Sequence, residues 1–237
     1  MKKYLRICAA ACTAFLACIA AQAAESAESE IWRAVSFEGN DVLYQDSGNP
    51  EAPALVFIHG WACNASFWRF QVPEFEDYRV IAVDLPGFGN SAKPGNIAYS
   101  IPYFARAVRA VIEDAGLDQP VLVGHSMGYA IARQYLICYP ESVKALVNVD
   151  GAYFRLPPTR EARMVFEKEV EEMLATFEGP QRAQAVDKFI DSTFYGKTPS
   201  DLQAEIRAVM TTADGYASTS ALREMLKLDQ WRERSFT

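Results

Sequence analysis

Histidine is scarce in this chain: 237 residues hold two, His59 and His125. Cysteine is scarce in a different way. Three of the five cysteines, Cys8, Cys12 and Cys18, fall in the first two dozen residues, which leaves Cys63 and Cys138. Two cysteines in a large domain are no disulfide framework. Together with two histidines they also make a poor donor set for a dedicated zinc site. Positive charge is in deficit, with 23 Lys and Arg against 30 Asp and Glu. A chain of that sign repels nucleic acid and anionic lipid head groups, so neither is an expected partner. The stretch Ile7–Ala21 is apolar or small throughout, yet it falls short of the ~20 residues a membrane span needs.

That stretch belongs to a leader. Lys2, Lys3 and Arg6 make a basic start, the apolar run follows, and Ala21-Gln22-Ala23 fits a small-x-small cleavage pattern. The reading is a secretory signal peptide over residues 1–23, and hence an exported protein, periplasmic or secreted. An uncleaved anchor is one alternative. Lipoprotein processing at Cys18 is another, although Phe15 stands where a leucine is expected. Cleavage removes three basic residues and no acid, so the net charge moves from −7 to −10.

Half of the residues are apolar and 22% are charged, which is globular composition. Residues 32–37 and 41–46 read as two strands of a hairpin around Glu38-Gly39-Asn40. Four apolar runs follow at 54–60, 79–87, 120–128 and 143–151. Such runs read as strands buried on both faces of a parallel sheet. A helical pattern lies between the second and third runs, with Phe104, Val108, Val111 and Ile112 on one face and Gly116 as its stop. Another lies between the third and fourth and stops at Pro140. Alternating strands and helices predict an α/β fold with right-handed crossovers. Beyond Tyr153 the pattern turns helical, with apolar stripes at 166–177, 186–190, 202–210 and 221–226. The expected organisation is a core over 24–152, a helical cap over 153–228, and the start of a return to the core at 229–237. The Met and Phe stripes of the cap read as helix packing.

Gly124-His125-Ser126-Met127-Gly128 carries the chemistry. It is a G-x-S-x-G elbow in a strand–turn–helix context. A sharp turn lifts the serine oxygen off the sheet, and the flanking glycines let strand and helix pass closely. The following helix aims its positive end at the serine, and the Met127 amide is free to meet an oxyanion. The second donor is expected from the loop after an earlier strand, where the Trp61 amide follows His59-Gly60.

With HGWACNASFWRFQVP (59–73), VIAVDLPGFGNS (80–91) and LVGHSMG (122–128) in order, the chain resembles the α/β-hydrolase-fold serine hydrolases, esterase-like members with a helical cap. The resemblance implies a mostly parallel sheet with helices on both faces. It makes Ser126 the nucleophile and Trp61 and Met127 the oxyanion-hole amides. It implies structural roles for His59 and for 84–91, local packing for His125, no metal and no cofactor. It further implies a small ester-type substrate, with amide or C–C cleavage as weaker options and haloperoxidase activity as a side reaction. Haloalkane dehalogenases and epoxide hydrolases of this fold use an aspartate nucleophile, so Ser126 argues against both. Trp61, Phe67, Trp68 and Tyr153 are expected near the site entrance, which suggests an apolar acyl or aromatic group. Cys63 and Cys138 are expected as separate free thiols, because twelve residues of helix part the elbow from Cys138.

One component is missing. The family order is Ser, acid, His, and no histidine follows Ser126. Asp150 could serve as an acid after the sixth strand, but its expected role is to cap Gly151. The pattern calls for two further strands that carry the acid and the histidine. The expectation is therefore a chain that stops short of its complete enzyme and is inactive as it stands, with 143–149 left as an open edge. The competing class is an inactive small-ligand binding protein of the same fold.

Overall fold

The structure is a computed structural model that describes residues 31–151 and 157–227. The proposed leader, Tyr153 and the 229–237 segment lie outside the described residues.

Six strands form one sheet among the described residues, in the order β1-β2-β4-β3-β5-β6. The hairpin comes first, with β1 at Ile31–Phe37 and β2 at Asn40–Ser47. Its two-residue turn has positive φ at both Glu38 and Gly39, the geometry that matches the twist of the flanking strands. β3 (Ala54–Ile58), β4 (Arg79–Val83), β5 (Val121–His125) and β6 (Ala145–Val149) are the four apolar runs. Neighbouring pairs among these four are parallel, while β2 meets β4 antiparallel with Tyr44 opposite Val83. Each strand is shorter than its apolar run, because the run continues into the loop that leaves the sheet.

Period-two alternation splits the central strands between two cores. Val56, Ile58 and Leu122 pack on one face with α1 (Ile101–Asp114) and α2 (Met127–Cys138). Leu55, Phe57, Val80, Ala82 and Val123 pack on the other with Ala65 and Trp68. The α1 helix starts where the Ser100 hydroxyl accepts the Tyr103 amide, 3.2 Å away. It ends in a Schellman turn: Leu117 N donates to Ile112 O at 3.0 Å, and Gly116 takes a positive φ of 64°. The hairpin edge of the sheet is tied down. Arg79 grips the buried Asp46 with two bonds, of 3.0 and 2.8 Å. At the other edge no further strand follows among the described residues. Among the described residues β6 pairs only with β5, and Val147 and Val149 are exposed by 42% and 36%.

Among the described residues four helices follow: α3 (Arg160–Glu178), α4 (Arg182–Thr193), α5 (Ser200–Thr212) and α6 (Gly215–Met225). Their buried faces are narrow. Leu174 and Phe177 are buried on α3, Val186 and Ile190 on α4, and Met210 alone on α5. Arg223 of α6 spans Glu171 and Glu178 of α3, and Arg207 of α5 spans Asp187 and Asp191 of α4. The α6 helix sits directly on the sheet domain. A Cβ on Gly87 would come within 2.6 Å of Ala217 Cβ, and Tyr216 OH donates to Ile97 O at 2.8 Å.

Candidate active site

The site forms where β3 and β5 end side by side. At the tip of β5 the backbone of Ser126 takes φ 51° and ψ −117°, a conformation that costs roughly 1–3 kcal/mol and persists only where packing enforces it. The enforcement comes from the two flanking glycines. A Cβ on Gly128 would lie 2.1 Å from Ile58 O, and one on Gly124 would lie 2.5 Å from Gly128 O. Helix α2 therefore begins in backbone contact with the end of β3, and any side chain at either glycine would push the turn apart. Ser126 N is held by Val149 O at 3.2 Å. The Ser126 hydroxyl is half-buried and has no hydrogen-bond partner among the described residues.

The loop after β3 closes on the same point. A Cβ on Gly60 would lie 3.3 Å from Ser126 Cβ and 2.9 Å from His125 Nδ1. The 60–61 peptide is thus beside the serine. Met127 opens a helix, so its amide has no intrahelical acceptor. The Trp61 amide likewise has no acceptor among the described residues. The elbow serine and both sequence-predicted donor amides are therefore gathered around one spot, with both amides unspent.

Below that spot lies a dense polar clamp. His59 is fully buried, and the Leu85 amide donates to its Nε2 at 3.0 Å. The proton must then sit on Nδ1, which donates to Gly60 O at 2.8 Å. Burial pushes the His59 pKa down to about 4, so the ring is neutral and both nitrogens are committed. Asp84 accepts from Ala65 N and Asn90 N, both at 2.7 Å, while Ser91 Oγ donates to Asp84 O and accepts from Leu43 N. A Cβ on Gly89, at φ 53°, would fall 2.2 Å from the Asp84 carboxylate.

His125 lies on the Trp68 side of the sheet, its ring perpendicular to the indole. Burial lowers its pKa, and the charge of Asp150 opposes that shift. Two expectations need correction here. Gly151 N is capped by Asn148 Oδ1 at 2.6 Å, not by Asp150; Asp150 stands in left-handed backbone at φ 48°. Trp68 does not line an entrance. It is buried against Phe57 at 4.8 Å between ring centroids. Cys63 and Cys138 are both free, one buried and one exposed. Burial pushes the Cys63 thiol up to about 12, so it is no nucleophile.

Sequence reasoning missed what the Trp61 side chain does. Its indole Nε1 donates to Ser218 O on α6 at 2.7 Å, and its ring meets Phe177 of α3 and Phe189 of α4 edge-on at 5.6 and 5.2 Å. One residue of the site loop thus touches three of the four later helices. The partners lie more than a hundred residues away, and no local pattern marks them.

The chain is similar to known proteins. A family profile described as alpha/beta hydrolase fold matches residues 53–231. A pimeloyl-[acyl-carrier protein] methyl ester esterase of Aeromonas hydrophila is 40% identical over 100 residues, covering 42% of this chain and 38% of that protein. Epoxide hydrolase 1 of Caenorhabditis elegans is 39% identical over 106 residues, covering 44% of this chain and 26% of its own length. The chain thus spans well under half the length of either relative. An esterase structure from Exiguobacterium antarcticum superposes with a TM-score of 0.74 at 23% identity, over 83% of this chain and 74% of that one, which speaks to the fold. The profile runs from before β3 through the last described helix, and this chain belongs to the α/β hydrolase fold family.

Proposed function

We propose that the protein is an exported serine hydrolase of small carboxylic esters, and that the helical segment after β6 is the cap over its site. The observation that carries this reading is the elbow. Ser126 is held in strained backbone beside the 60–61 peptide, and among the described residues its hydroxyl and the Trp61 amide have no hydrogen-bond partner. Its Oγ would attack the ester carbonyl. The Trp61 and Met127 amides would receive the oxyanion, the alcohol would leave, and water would release the acid from the acyl-enzyme. Acyl transfer of this kind needs no metal and no cofactor. Relatives include both esterases and epoxide hydrolases; a serine rather than an aspartate on the elbow favours the ester reaction.

The general base is neither histidine of this chain. His59 has both nitrogens bound, and His125 precedes the nucleophile on its own strand with its ring on the Trp68 side. The base and its acid are proposed to lie outside these 237 residues, in the complete gene product. A covalent serine probe tests the whole reading. We expect stoichiometric fluorophosphonate labelling of the complete gene product, isolated from the cell envelope or medium, and none in Ser126→Ala. A well-folded protein that resists the probe would refute it and leave a binding protein of the same fold.

A further inference from the structure

Trp61 enters the proposed mechanism through its backbone, but the structure gives its side chain a separate duty. The turn it occupies is not self-supporting. Ala62, the next residue, has a positive φ of 56° without being glycine, and Cys63 N reaches Gly60 O across the turn at a long 3.3 Å. Trp61 is 5% exposed. Its indole N–H is held by the Ser218 carbonyl, and its ring meets Phe177 and Phe189 edge-on. The amide beside the nucleophile and the cap are therefore joined through one side chain, with Gly60 against Ser126 on one side and α6 on the other.

We infer that Trp61 is a positioning residue that couples the cap to the oxyanion hole: the seated indole holds the 60–63 turn so that the Trp61 amide faces Ser126, and displacing the cap at Ser218 turns that amide away. This rests on the serine-hydrolase reading. It carries a consequence for specificity. Substrates that fit under the seated cap keep both oxyanion donors. Bulky ones that lift α6 bind but react with one donor, so discrimination appears in kcat rather than in KM.

The test compares Trp61→Phe with wild type in the complete gene product. Phenylalanine keeps the backbone amide and an aromatic ring but removes the indole N–H. Active sites are counted by phosphonate titration, so that misfolded protein does not enter the rate. We expect kcat per titrated site on a short-chain p-nitrophenyl ester to fall by at least about tenfold, toward the ~10²-fold that a 1 Å misplacement can cost, with KM changed by less than about twofold. Tyr216→Phe, which removes another hydrogen bond between α6 and the sheet domain, is expected to leave kcat per site unchanged. An unchanged kcat per site in Trp61→Phe, or a change confined to KM, overturns the coupling while the hydrolase reading stands. A wild-type protein that neither reacts with the probe nor hydrolyses the ester overturns both.

Discussion

The loop that carries Trp61 is held very differently from below and from above. Below it, His59, Asp84 and Ser91 are buried and interlocked, each main-chain turn tied to a side chain by bonds of 2.6–3.0 Å. Above it, Trp61 meets the later helices through one indole N–H and two edge-on aromatic contacts. One of those rings, Phe189, is 39% exposed, and Ser218 Oγ is buried without a partner among the described residues. The lower frame contains buried polar groups that are costly to disturb, because each partner left behind is a desolvated donor. The upper seam is mainly aromatic contact, which slides at smaller cost. A fold can thus hold one side of a loop rigidly and leave the other side freer to shift.

Breaking the frame should have the largest effect. Asp84→Ala strands the Ala65 and Asn90 amides and opens space beside Gly89. We expect a loss of about 4 kcal/mol, read from urea midpoints at constant m. Acid should attack the frame next. His59 is neutral when folded, with its pKa lowered from 6.5 to about 4. The unfolded chain takes up the proton first, so this contribution is complete above pH 6.5, declines as pH falls, and is lost by about pH 4. The decline is of order 3 kcal/mol. Nitrogen chemical shifts of His59 should report a neutral Nδ1–H ring down to the same pH, and protonation near 6.5 in folded protein would contradict it. Above the loop the expected changes are small. Phe189→Ala removes one edge-on contact from a partly exposed ring and should cost about 1 kcal/mol. If Phe189→Ala matches Asp84→Ala in cost, the contrast between frame and seam is wrong.

Much of this was legible in the sequence, and the reasons are local. The central strands announce themselves because burial on both faces leaves no polar position, as in Leu55–Ile58 and Val80–Val83. The elbow is legible because only glycine fits at 124 and 128. The hairpin, the α1 helix and the separate cysteines follow from turn chemistry and spacing. Tertiary choices are another matter. Asn148 and Asp150 both stand near Gly151, and only the path of the chain decides that the amide takes Asn148. Trp68 sits in an aromatic-rich loop that suggested an entrance, but a 3-10 turn at Ala65–Trp68 rotates it under the sheet against Phe57. The Trp61–Ser218 bond joins residues 157 positions apart, beyond the reach of any window.

The two cysteines, finally, have a practical use. Cys63 is buried with its thiol pushed up to about 12, and Cys138 is exposed at the far end of α2, the helix that Ser126 caps. A maleimide dye at neutral pH should therefore mark Cys138 and spare Cys63. Among the described residues such a dye would sit at one defined place, on the helix that Ser126 caps, with no engineered residue.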